Sequence, residues 1–281
     1  MRASPSLSIL GFAIAVALLA SACAAAAASP GPTSGPASVP SAALVAQPTA
    51  TIAPTPMAAS SAPTTPSSAS SSPTPAPISA SDVTALPAGR HAAQVLGSGS
   101  YPGYMVDVPA GWFDRQGYFT VKYQGPGPVL GISVWDVGQV FRDSCHWQGQ
   151  GFDPGPSVDN LVAALVAQSA RHASKPKDVT LAGYPGKYLE WSVPSNMVVT
   201  GDADFQGCDV EPTEGHRNFM SWLGNGKGER YQQVAGQVDR LWVLDVNGRR
   251  LVVDATYSPD TTPADRNQEQ QILESLRFVR P

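Results

Sequence analysis

The feature that most constrains this chain is a long segment without any charge. Between Arg2 and Asp82 the sequence contains no Asp, Glu, Lys, Arg or His. Every Trp and Tyr, and every Phe except Phe12, lies beyond Asp82. A folded domain needs large apolar side chains inside and charges on its surface. The sequence therefore predicts one globular domain over 82–281, preceded by a leader and a spacer.

Residues 1–22 have the features of a signal peptide. Arg2 supplies a positive charge, and an apolar run extends from Ile9 to Ala20. That run is shorter than the roughly 20 residues that a membrane-spanning helix needs. We expect export, with cleavage before Cys23.

The residues before Cys23 resemble the lipobox of bacterial lipoproteins, in which the cysteine after the cleavage site carries lipid. Ser21 and Ala22 fit that pattern, whereas Ala20 stands where Leu is usual. The resemblance implies a palmitate-bearing anchor on the extracytoplasmic face of the cell membrane. Ala20-Ser21-Ala22 also has the A-x-A form of an ordinary cleavage signal, so free secretion is the alternative, and an uncleaved anchor is a third possibility.

The segment 23–81 is predicted to be a disordered tether. From Ala24 to Ser81 it consists almost entirely of Ala, Ser, Pro, Thr and Gly. Such a composition cannot bury enough apolar surface to offset chain entropy. At about 3.1 Å per residue, a fully extended polyproline-like spacer would reach roughly 180 Å.

The chain has 3 cysteines. If Cys23 is acylated, Cys145 and Cys208 remain as a pair in an oxidising compartment. Their disulfide would stabilise the fold by about 4 kcal/mol in the chain-entropy model. Two separate buried thiols are the alternative.

Several segments of the domain have the patterns of strands and helices. Strands are predicted at Tyr104–Val108, 118–123, 129–135, 179–181 and 188–191. A helix begins after the N-cap Ser157 and is expected to continue to Arg171 and His172, before Pro176. Its apolar stripe consists of Val158, Leu161, Val162, Leu165 and Val166.

The run from Leu241 to Tyr257 predicts a β-hairpin, because Asn247-Gly248 divides two strand-forming segments. Pairing outward from this turn places Asp245 opposite Arg250 and puts four apolar residues on one face: Trp242, Leu244, Leu251 and Val253.

A second helix is predicted after Thr262-Pro263, with Ile272, Leu273 and Leu276 facing inward. Leu276–Val279 is expected to add a short strand. The order of elements predicts an α+β fold, in which two amphipathic helices cover an antiparallel sheet.

The pattern over much of 90–280 resembles exported bacterial lipoproteins with an LpqN-like or PsbP-like domain. The resemblance rests on Tyr104–Trp112, Gly183–Tyr188, the hairpin Trp242–Ala255 and the ending Ile272–Phe278. It implies an α/β/α-type sandwich with a binding or accessory role, and it supplies no active site. The Gly-rich region 195–238 departs from that pattern.

The sequence offers weak candidates for catalytic and metal sites. It has no G-x-S-x-G nucleophile motif. Asp202-Ala203-Asp204 resembles the start of a calcium loop, to which Asp209 or Glu214 could contribute, but position 12 is Thr213. Cys145, His146, Cys208 and His216 have the atoms of a zinc site, although a disulfide would consume both thiols. Gly224–Gly228 is interpreted as a hairpin tip rather than a phosphate loop.

Two tryptophans are candidate ligand-facing residues, because Trp147 and Trp222 are flanked by polar or Gly-rich segments.

The net charge of −4 argues against nucleic acid as a partner. We therefore expect a non-enzymatic, surface-tethered module that needs no cofactor. Its partner would be a protein, a glycan or a small molecule of the envelope or the exterior. An exported enzyme, with or without a metal, is the alternative.

Overall fold

The computed structural model of the chain describes residues 83–99, 101–124, 127–213 and 215–280. The predicted signal peptide, the lipidation site Cys23, the tether and Glu214 lie outside these residues. The domain boundaries predicted from the sequence therefore stay a prediction.

Two helices and eighteen strands form the described part of the chain. The helices are α1 (Val158–Ala167) and α2 (Pro263–Ser275). The strands are β1 (Val83–Leu86), β2 (Gly89–Ala93), β3 (Tyr104–Val108), β4 (Trp112–Arg115), β5 (Phe119–Gln124), β6 (Gly127–Trp135), β7 (Val137–Phe141), β8 (Gly151–Phe152), β9 (His172–Ala173), β10 (Lys177–Leu181), β11 (Tyr184–Ser192), β12 (Val199–Thr200), β13 (Asp204–Phe205), β14 (Met220–Gly224), β15 (Glu229–Tyr231), β16 (Val238–Val246), β17 (Arg249–Tyr257) and β18 (Arg277–Phe278).

One large antiparallel sheet organises the domain. Its strand order is β1-β4-β5-β6-β17-β16-β11-β10, and β9 pairs with the far end of β11. Residues opposite each other in an antiparallel pair point to the same side, and neighbours along a strand point to opposite sides. Trp135, Val252 and Val243 lie on one side, which we call the α1 face. Val134, Val253 and Trp242 lie on the other, the α2 face.

The α2 face is covered by α2 together with a three-stranded sheet of order β18-β3-β2. Ile272 and Leu273 of α2 are buried against it, as is Leu276 at the helix end. Alternate residues of β3 supply Tyr104, Val106 and Val108 to the same core. This layer is mostly apolar, although the carboxylate of Glu269 is buried in it beside Arg240.

The α1 face is covered by α1 and by a four-stranded sheet of order β15-β14-β7-β8. Leu161 and Leu165 of α1 pack with Val243 and Val252 of the large sheet, and Trp222 of β14 joins the same cluster. These layers leave part of the α1 face, near β5 and β6, without an apolar cover.

A small third cluster contains the predicted disulfide. Cys145 and Cys208 are bonded, with an S–S distance of 2.06 Å. Cys208 packs with Val193, Phe205 and Phe219. The bond therefore joins the segment after β7 to the irregular region between β13 and β14, as the sequence predicted.

Other local predictions are confirmed by the structure. Ser157 caps α1 and accepts a hydrogen bond from the backbone N–H of Asn160 at 3.0 Å. Thr262 caps α2 in the same way through Asp265. Asn247-Gly248 forms the tip of the β16–β17 hairpin with the predicted register, in which Asp245 opposes Arg250.

The predicted fold class is wrong. The two helices have only 10 and 13 residues and lie on opposite faces of the large sheet, and two smaller sheets complete the cover. The protein is mostly β, built as layered antiparallel sheets, rather than an α+β sheet covered by two helices. The missed strands have only two to five residues each, which is too short for an alternation of apolar and polar residues to stand out in the sequence.

The predicted end of α1 is also wrong. The helix ends at Ala167, and the side chain of Gln168 donates hydrogen bonds to the carbonyls of Phe141 and Ser221 at 2.7 and 2.8 Å. Arg171 and His172 lie beyond the helix, and His172 belongs to β9. Within the described residues, neither helix combines the length and the apolarity that would let it cross a membrane.

A candidate ligand cavity beside a buried charge cluster

A cavity of about 220 Å³ opens on the part of the α1 face that lacks an apolar cover. It lies between β5 and β6 of the large sheet and the segment that runs from β15 to β16. Its apolar wall consists of Leu96, Phe119, Val121, Trp135 and Val234. Its polar wall includes Arg115, Arg230, Gln237, Thr256 and Ser258.

Small residues on β6 keep the floor of the cavity open. Gly131 and Ser133 lie on the α1 face, opposite Val121 and Phe119 of β5. A Cβ atom at position 131 would lie 2.9 Å from Cγ1 of Val121, so any larger residue there would displace the wall. Ser133 is committed to the fold, because its Oγ accepts a hydrogen bond from Nε1 of Trp135 at 2.8 Å.

Arg230 forms the charged end of the cavity. It donates to Asp254 at 2.5 Å through Nε, and to Asp239 at 2.9 Å and Thr256 at 2.7 Å through Nη2. Nη1 donates to the carbonyl of Tyr231 at 2.6 Å. Three elements, β15, β16 and β17, thus meet at one guanidinium group.

A second arginine extends this cluster into the interior. Nη1 of Arg171 lies 3.3 Å from Oδ2 of Asp239, and both side chains are fully buried. The guanidinium carbon of Arg171 lies 4.4 Å from the centroid of the Trp191 ring. Two arginines and two aspartates therefore share the site, and their formal charges balance. We call Arg171, Arg230, Asp239 and Asp254 the charge cluster.

Burial shifts the ionisation of the cluster. Desolvation raises the pKa of Asp254 to about 6, despite the nearby Arg230. Desolvation also lowers the pKa of Arg171 to about 10. For Arg230 burial alone would lower the pKa, but Asp254 and Asp239 more than offset it, so the pKa is raised. Because each charge is matched by an opposite one, the cluster can remain ionised inside the protein.

The two tryptophans singled out from the sequence have different positions. Trp222 is 0% exposed and packs edge-on against Trp135, at 5.8 Å between ring centroids. Its ring does not line the cavity and reaches no surface. Trp147 is half-buried, packs against Phe141, and donates through Nε1 to the carbonyl of Asn218 at 3.0 Å.

The weak metal candidates do not converge. The disulfide consumes both thiols of the possible zinc site, so that site is excluded. Asp204 is engaged with Arg217 and Gln206. Asp209 accepts a hydrogen bond from the backbone N–H of Gln148 at 2.8 Å and lies 3.5 Å from His146.

Asp202 and His216 are exposed. Among the described residues, no three His, Cys, Asp or Glu side chains are grouped as metal ligands would be. Gly224 ends β14 and Glu229 begins β15, so the glycine-rich segment between them is the predicted hairpin tip.

Sequence reasoning did not single out the charge cluster. The sequence contains one indication of buried charge. Asp239 alternates with Leu241 and Val243 along β16, and Asp254 alternates with Val252 along β17. An aspartate in phase with buried residues must find a cationic partner inside the fold. The partner itself could not be identified, because Arg171 is 68 residues from Asp239 in the chain.

No protein-family model matches the chain, and no curated protein matches it.

Proposed function

We propose that this protein is a surface-tethered binding module of the cell envelope that holds a small amphipathic molecule in the cavity on its α1 face. In this proposal Cys23 carries the lipid anchor, the segment 23–81 is the tether, and the domain is not an enzyme. The observation that carries the proposal is the cavity itself, with an apolar wall on one side and convergent polar groups on the other.

The form of the cavity suits a ligand with one apolar and one polar end. Binding pockets are typically lined by apolar side chains with a few polar groups that fix orientation. The Phe119 and Val121 side supplies the apolar contact, and Arg115 supplies the polar contact. The volume of about 220 Å³ lies just below the range of roughly 300–1,000 Å³ that is typical of ligand pockets, so the cavity suits a small ligand. A single ring with a short polar group is of that size.

The disulfide supports the extracytoplasmic part of the proposal. Disulfides form and persist mainly in oxidising compartments outside the cytosol, and the Cys145–Cys208 bond is part of the fold. The leader and the uncharged spacer agree with the same location.

Benzyl alcohol is a suitable probe of the cavity, because it has one ring and one polar group. Saturation-transfer NMR on the processed protein, purified from the envelope of an expression host, would detect its binding. Val234→Phe would place a ring in the cavity and should abolish the signal. Val198→Phe adds the same ring at a position that is 61% exposed and does not line the cavity, and should leave the signal intact.

An unchanged signal in Val234→Phe would place the binding elsewhere and contradict the proposal.

Lipid anchoring is tested separately by metabolic labelling with a palmitate analogue. The label should be present in the native protein and absent from Cys23→Ala, which should be released from the membrane. Equal membrane retention of the unlabelled variant would overturn the anchor.

A further inference from the structure

Arg115 differs from the other arginines that are at least partly buried in the described part of the chain. It is half-buried at the end of β4, and its side chain makes no hydrogen bond or ion pair with the described residues. Its electrostatic neighbour is the phenol of Tyr123, which is neutral at pH 7. Six others each donate a hydrogen bond to an oxygen: Arg171, Arg217, Arg230, Arg240, Arg249 and Arg250.

The unpaired guanidinium group lies at the cavity. Arg115 opposes Phe119 in the β4–β5 register, so both side chains project from the α1 face. Both line the cavity, together with Val121 of the same apolar wall. A cation beside an apolar wall is partly desolvated, and an anion bound there would be screened less by water than one at the open surface.

The other charged side chains described around the cavity do not form an ion pair with Arg115. Arg230 is neutralised by Asp239 and Asp254. Glu229 is the carboxylate on the wall; it is exposed and has an interaction of its own. Among the described residues that line the cavity, Arg115 is therefore the cation available to a ligand.

We infer that the cavity selects small amphipathic carboxylates, with Arg115 binding the carboxylate and the Phe119–Val121 wall binding the apolar body. This inference rests on the proposed function and adds the class of ligand. Arginine suits the role because its planar guanidinium group can donate two parallel hydrogen bonds to a carboxylate.

Three probes have the same ring and differ in charge at pH 7: benzoate is an anion, benzyl alcohol is neutral and benzylamine is a cation. Comparing their affinities separates the effect of charge from that of shape. NMR titration of the processed protein at pH 7 should show benzoate binding about tenfold more tightly than benzylamine, the difference expected from one charge-assisted hydrogen bond. Benzyl alcohol should lie between the two.

Variants then assign the preference to Arg115. Arg115→Met should weaken benzoate binding about tenfold and leave benzyl alcohol binding unchanged. Arg115→Lys keeps the charge and should restore part of the affinity. Arg142→Met removes one charge from an exposed arginine that does not line the cavity, and should change neither.

The outcomes separate the inference from the proposed function. Equal affinity for the three probes, or benzoate binding that is unaffected by Arg115→Met, would overturn the carboxylate preference while the cavity remained a binding site. Binding of none of the probes by the native protein would overturn both. An unfolding measurement on Arg115→Met identifies any loss of fold, and Arg115→Lys provides the independent test in that case.

Discussion

The two faces of the large sheet are stabilised in different ways. The α2 face is closed by apolar packing of Ile272, Leu273 and the β3 side chains. The α1 face is apolar beneath α1 but ends in the charge cluster and the cavity. Apolar packing fills space without directional demands, whereas buried charges must each find a partner. The charge cluster and the cavity therefore lie together on one face, and a mostly apolar layer lies on the other.

The largest expected effect comes from removing the centre of the charge cluster. Arg230→Met would leave Asp239 and Asp254 buried without their main partner, which should lower the free energy of unfolding by about 3–5 kcal/mol. Urea denaturation followed by tryptophan fluorescence measures this. Arg90→Met breaks an exposed pair with Asp107 and should have no measurable effect. A small loss in Arg230→Met would mean that the cluster is not essential to the α1 face.

The next largest effect should come from removing the disulfide, and it should be strongest in the cluster around Cys208. Replacing both Cys145 and Cys208 by Ala should cost up to about 4 kcal/mol, because the unfolded chain is no longer constrained. Hydrogen exchange should show faster exchange at Phe205 and Phe219, which pack in the disulfide cluster. Strand β3 on the α2 face should keep its protection in conditions where the fold persists. Uniform loss of protection would mean that the two faces unfold as one unit.

A matched pair of substitutions tests whether the apolar parts of the two faces are equivalent. Val252 and Val253 are adjacent on β17, both 0% exposed, and belong to the α1 and α2 faces respectively. Each Val→Ala change removes two buried carbon atoms and should cost about 2 kcal/mol. Equal losses in urea denaturation would locate the difference between the faces in the charge cluster. A much smaller loss for Val252→Ala would show that the α1 face is looser throughout.

The smallest effect over the range in which it is measured, pH 6.5 to 8, concerns Glu269, a buried carboxylate of α2. Burial raises the pKa of Glu269 to about 8, even though Arg240 lies 2.6 Å away and opposes the shift. The native state then holds a proton that the unfolded chain releases above its ordinary pKa of 4.5. Stability should therefore fall as the pH rises through the window between these values, by at most about 1.4 kcal/mol per pH unit.

Glu269→Gln should flatten this decline. The interval from pH 6.5 to 8 is best for the measurement, because the raised pKa of Asp254, about 6, contributes mainly below it. Glu274→Gln makes the same change on the exposed side of α2 and should keep the native slope. An identical slope in native protein and Glu269→Gln would show that Glu269 is already ionised in the fold.

Predictions from the sequence were most reliable where neighbouring residues decide the structure. The Asn247-Gly248 turn fixes the register of nine pairs from Val246 opposite Arg249 to Val238 opposite Tyr257. The two N-caps were identified from single residues. Even here the tertiary structure added detail: Asp245 and Arg250 oppose each other, but Asp245 accepts from the N–H of Gly248 and Arg250 donates to the carbonyl of Val137.

The candidate site was less predictable, because it is assembled from segments far apart in the chain. No motif distinguishes Arg115. Trp222 was a candidate ligand-facing residue, but its ring packs in the interior against Trp135 and Trp191. Helix α1 ends earlier in the chain than predicted, because two residues of the predicted last turn form hydrogen bonds with distant groups. Gln168 donates to the carbonyl of Phe141, and Arg171 donates to Asp239. Helix-terminal preferences of less than about 1 kcal/mol do not outweigh such contacts.

The sequence by itself determined the pairing of the two domain cysteines, the two N-caps and the central hairpin, whereas the leader and the spacer stay predictions from composition. Each follows from composition, from counting or from interactions between residues close together in the chain. Only the tertiary structure decided which face each helix covers, where the small sheets add to the core, and which charges are buried together. Those outcomes depend on contacts between residues tens of positions apart, and such contacts have no local pattern that reveals the partner.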